Sequence, residues 1–89
     1  MAIIAMFYGI IISMYYFDKR QHHIPHIHVK YQDLEAVIAI PDGEVLESQL
    51  KSNKLKLVQD WIEIHQNELM ADWELATSGE TVFKIDPLR

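Results

Sequence analysis

The sequence predicts an α+β domain in which a small antiparallel sheet of three to five strands packs against one long amphipathic helix. Three observations carry this reading. The first half of the chain breaks into short β-branched and aromatic runs, and the second half switches to an apolar period near 3.6. No Ser/Pro-rich linker, repeat or low-complexity run divides the two halves, so one domain over residues 1–89 is the simplest organisation. A chain this short buries only about two-thirds of its unfolded surface, which leaves it marginal alone.

The stretch "AIIAMFYGIIISMYYF", residues 2–17, carries no charge and is followed at once by Asp18, Lys19 and Arg20. It falls short of the roughly twenty residues a bilayer span needs. It also lacks the basic start and small-residue cleavage site of a secretory signal. Ile10, Ile11, Ile12, Tyr15, Tyr16 and Phe17 suit a strand covered on both faces, placed within residues 3–17. No membrane association is expected.

Polar "DKRQHH" then makes a connection, and "HIHVKY" with "EAVIAI" read as strands over 26–31 and 35–40 joined at Gln32, Asp33 and Leu34. Pro41, Asp42 and Gly43 form a turn, because proline fixes φ and glycine accepts a left-handed conformation. A short strand returns over 44–48. From there a helix over 53–78 aligns Leu57, Val58, Trp61, Ile62, His65, Leu69, Trp73 and Ala76 on one side. Ser52 or Asn53 can cap its start and Gly79 can stop it. Ile64 and Met70 lie off the stripe, which calls for either a bend near His65 to Asn67 or a subunit contact. "TVFKI", residues 81–85, can add a last edge strand before Pro87.

Composition narrows the function classes. Zero cysteines exclude a disulfide framework and every thiolate metal site, and are compatible with a cytoplasmic location. The net charge is −5 and the eight Lys and Arg are scattered, so the broad basic surface that nucleic acid requires is missing. With 49% of residues hydrophobic, including Trp61, Trp73, Phe7, Phe17 and Phe83, the apolar content exceeds what so small a core hides. A homodimer is expected.

Four of the five histidines fall within "QHHIPHIHVKY", residues 21–31. His26 and His28 are two apart, so on a strand their side chains share a face and both can reach one ion or one substrate group. Pro25 holds its own φ and pushes Ile24 toward extended geometry, which stiffens the approach to His26. His22 or His23, just upstream, is within reach as a third ligand. Three nitrogen ligands with an open position match zinc or another divalent transition metal, which lowers the pKa of bound water to about 7.

Plainer readings of the same residues stand beside this one. Histidines at i and i+2 are more often a partly exposed pair, and a metal-free site could use them as general acid and base. His65 sits in the apolar stripe, either as a core histidine or, if the helix packs across the strand of His26 and His28, as a further member of the cluster. The chain has no cysteine nucleophile, no Gly-x-Ser-x-Gly elbow, no phosphate loop and no helical His-Glu-x-x-His.

Taken in order, "FYGIIISMYY", "HHIPHIHVKY", "EAVIAIPDGEVLE" and "LVQDWIEIHQNELMADWE" resemble a small bacterial family, domain of unknown function 4160, over nearly the whole chain. The family's central pattern, His-x-Pro-Pro-His-x-His followed by an aromatic strand residue, falls on His22, Pro25, His26, His28 and Tyr31. This chain departs from it at Ile24, where the family has its first proline, and His23 fills the variable position. The resemblance implies an intracellular α+β domain often encoded beside another small protein, with descriptions that mention toxin-antitoxin pairs. It favours His22 over His23 as third member of the cluster, and includes Trp61, His65 and Trp73 in the family's helical pattern. Two functions follow as expectations. One is an interaction module that pairs with a small protein from a neighbouring gene. The other is a metal-assisted or histidine-based hydrolase that cuts RNA with His22, His26 and His28, which the acidic charge disfavours.

Overall fold

A computed structural model describes residues 2–15 and 24–88. Five strands form one antiparallel sheet in chain order: β1 (Ala2–Phe7), β2 (Ile10–Met14), β3 (His26–Tyr31), β4 (Leu34–Ala39) and β5 (Val45–Ser48). Two helices follow, α1 (Ser52–Ile64) and α2 (Gln66–Thr77). The expected α+β architecture holds, with corrections of local cause at the first strand, the helix, its N-cap and residues 81–85.

The run expected as one strand within 3–17 is a hairpin of two. Tyr8 and Gly9 sit at its tip with φ of 49° and 78°, the left-handed pair that a two-residue hairpin turn demands. A Cβ on Gly9 would lie 3.3 Å from the Tyr31 ring, so the turn is also pressed against β3. The second correction concerns the helix, which divides at His65. There ψ reaches 29° and the backbone N–H is shared between the carbonyls of Trp61 and Ile62. The break brings Met70 against the core, while Ile64 stays exposed.

The helix ends also differ from expectation at one point. Neither Ser52 nor Asn53 caps α1; Lys51 occupies the cap position with no side-chain bond. Gly79 does stop α2, at φ +75°, with its N–H donated to Ala76 and the N–H of Glu80 donated to Leu75 in a Schellman arrangement.

Residues 81–85 form no strand. The N–H of Phe83 goes to the Asp72 carboxylate and that of Ile85 goes to Ile4 on β1. With the donors divided between a helix and a strand, no ladder develops. The tail instead straps the β1 edge to the helices, buries Ile85, and receives the indole N–H of Trp61 on the Asp86 carbonyl at 2.7 Å.

Strand alternation sorts the sheet into two faces. Phe7, Ile10, Ile12, Met14, Ile27, Val29, Ala36 and Ile38 join Val58, Trp61, Ile62, Leu69 and Ala76 in one core. Trp61 is its centre, fully buried, with its ring 5.5 Å from that of Phe7. The other face carries Ile11, Ser13, His28, Lys30, Glu35 and Val37, as the β2–β3 and β3–β4 registers require. No described helix is long and apolar enough to cross a membrane.

Because Trp61 joins core, helix and strap, Trp61→Phe should lower unfolding stability by about 2 kcal/mol, combining the lost hydrogen bond with the small void left behind. Urea denaturation checks this, and a midpoint equal to that of the parent chain would contradict it.

Candidate functional site

β3 is flanked by β2 and β4, so both of its edges are paired and its side-chain directions are fixed. Ile40 donates its N–H to Pro25 at 3.0 Å, which anchors the residue just before the strand. His26 and His28 then project to the outer face, with ring centroids 5.3 Å apart. They belong to a longer row: Tyr15 packs edge-on against His28 at 4.4 Å, and Trp73 of α2 lies 5.2 Å from His26. His26 is 1% exposed and His28 is half-buried.

The Nδ1–H of His26 donates to the Ile24 carbonyl at 2.8 Å. A carbonyl can only accept, so this bond sets the tautomer of the neutral ring and puts the lone pair on Nε2. The arrangement matches the outer support that orients metal-ligating histidines, in which one ring nitrogen is held by a carbonyl and the other binds the ion.

The remaining predicted residues divide clearly. His22 and His23 lie outside the described residues. Tyr31 points to the helix face, three residues from His28, and Lys54 stacks over its ring at 4.6 Å. His65 packs its ring against Trp61 at 5.5 Å, and its Nδ1–H donates to Glu68 at 2.6 Å. The structure therefore joins His26 to His28 and gives Tyr31 and His65 other partners. Among the described residues, no three His, Asp or Glu side chains converge to hold a metal ion.

A protein-family model, Domain of unknown function (DUF4160), matches residues 9–74, a span that includes β2 to β5 and the histidine row. The chain belongs to this family. No curated protein and no solved structure matches it. The DUF4160 description names no activity.

One buried group in this DUF4160 chain escaped the sequence reading. Asp72 is 2% exposed, and its Oδ1 accepts the Phe83 N–H at 3.0 Å while Oδ2 is buried without a hydrogen bond. The signal was present in the spacing, since 65, 69, 72 and 76 continue one helical face. Burial raises its pKa above the ordinary 3.8, Glu68 adds to the rise, and the Phe83 hydrogen bond partly opposes it.

A carboxyl whose pKa is higher folded than unfolded holds extra protons in the native state. Its contribution to stability is complete below the ordinary value of 3.8 and is lost as pH rises through the folded value. Asp72→Asn, which still accepts from Phe83, should therefore raise the melting temperature at pH 7. That gain should vanish in acid below the ordinary carboxyl range. Thermal melts of both proteins across pH test this, and a difference independent of pH would refute the assignment.

Proposed function

We propose that this chain is an interaction module of a paired bacterial system, and that His26 and His28 form a two-imidazole half-site for zinc or another divalent transition metal on the outer face of its sheet. His22 is the third ligand in this reading, with a partner protein from a neighbouring gene meeting the same face, in the cytoplasm. The observation that carries the proposal is the pairing of two adjacent imidazoles, one with its tautomer set by the Ile24 carbonyl. Neutral imidazole nitrogens are the preferred ligands of zinc, copper and nickel, and a pre-oriented ring loses less freedom on binding. The acidic balance of the chain, −5 overall, suits a cation better than a nucleic-acid phosphate.

Protein purified without a histidine tag should bind zinc in calorimetric titration near one ion per chain. His28→Ala should weaken binding by at least about tenfold, since loss of a mere outer-shell support of a ligand already costs about 10–100-fold. His28 is half-buried, so this variant tests the site without emptying the core, and an unchanged circular dichroism spectrum confirms the fold. Equal affinity in the parent and variant chains, or no binding by the parent, would refute the metal half-site.

A further inference from the structure

The histidine row is at the middle of the sheet, whereas exposed apolar side chains gather at one edge. Of the seven large hydrophobic residues exposed among the described residues, Ile3, Met6 and Tyr8 belong to β1 and its turn, and Phe83 belongs to the strap beside it. Met6 is 61% exposed and Phe83 is 70% exposed. A cleft of about 380 Å³ opens between residues 3–6 of β1 and residues 84–87 of the strap. A cavity of roughly 150 Å³ already accommodates benzene, so this one has room for a phenyl ring. The knob and the hole lie on the same edge, since Phe83 directly precedes the strap residues that line the cleft.

Charge indicates what covers this edge. The chain as a whole is −5, so two copies repel each other over most of their surfaces. β1 has no charged residue, and residues 81–88 carry only Lys84 and Asp86, which cancel. Both flank the cleft. Two-fold symmetry repeats every contact, so an axis near Ile85 allows Lys84 of one copy to meet Asp86 of the other twice over, with apolar surface against apolar surface between them. The opposite edge, β5, is only four residues long and has Glu44 and Glu47 exposed, features that discourage association.

We infer that the β1 edge and its C-terminal strap form a homodimer interface, in which Phe83 of each copy enters the cleft of the other and Lys84 pairs with Asp86 across the two-fold axis. The strap keeps its hydrogen bonds to Ile4, Trp61 and Asp72 throughout, so pairing requires no unfolding. This inference does not depend on the metal half-site and is read from different residues.

Sedimentation velocity at micromolar concentration tests it. The parent chain should sediment as a dimer, and Phe83→Glu should weaken the dimer by at least about tenfold, the loss of one buried aromatic anchor. Lys84→Asp and Asp86→Lys should each weaken it, and the two together should restore it. Phe83, Lys84 and Asp86 are all exposed, so the fold tolerates the changes, which unaltered circular dichroism spectra will verify. A parent chain that is monomeric throughout overturns the inference. So does a dimer that survives Phe83→Glu, a double charge swap without rescue, or a monomer that uses these residues only for a different protein.

Discussion

A β-strand turns successive side chains to opposite faces, and the pairing of β3 on both edges locks which face each of its residues receives. Ile27 and Val29 are thereby committed to the core, and His26 and His28 to the outer face. A slip of one residue would turn the imidazoles toward the aliphatic core and set Ile27 and Val29 in the row beside Tyr15 and Trp73. The apolar pattern of the core therefore holds the histidines in place, although it touches neither of them chemically.

The same logic runs outward from Trp61. Its ring meets Phe7 on β1, its indole N–H reaches the strap, and one turn further on its helix breaks at His65. The break turns α2 so that Leu69 and Ala76 complete the core while Trp73 reaches the ring of His26. A carboxyl group, Asp72, is buried in the course of this packing because the strap needs an acceptor for the Phe83 N–H. Burying it opposes folding once it ionises, so the latch carries an electrostatic cost.

Much of this was legible in the sequence, because it followed from periodicity and turn chemistry. The strand over His26 to Tyr31, the turn at Pro41 to Gly43 and the helical stripe through Val58, Trp61, Leu69 and Ala76 all obey simple spacing rules. The β1–β2 hairpin was hidden because uncharged apolar residues run through its turn, leaving Gly9 as the one cue. The strap was misread as a strand because composition reports β preference and is blind to where each N–H finds its acceptor. For the site, the His26 and His28 pair followed from a period of two. Its ring neighbours Tyr15 and Trp73 come from other elements, and no local pattern could bring them in.

In the proposed half-site, Nε2 of His26 is the ligating nitrogen of a pre-set ring paired with His28. Long-range nitrogen–proton NMR of the imidazoles, recorded through a zinc titration, reads it most directly. The expected result is a His26 ring protonated on Nδ1 in the metal-free chain, with the Nε2 resonances of His26 and His28 shifting together as zinc is added. A His26 ring protonated on Nε2, or zinc that moves other histidines and leaves these two unchanged, would contradict it.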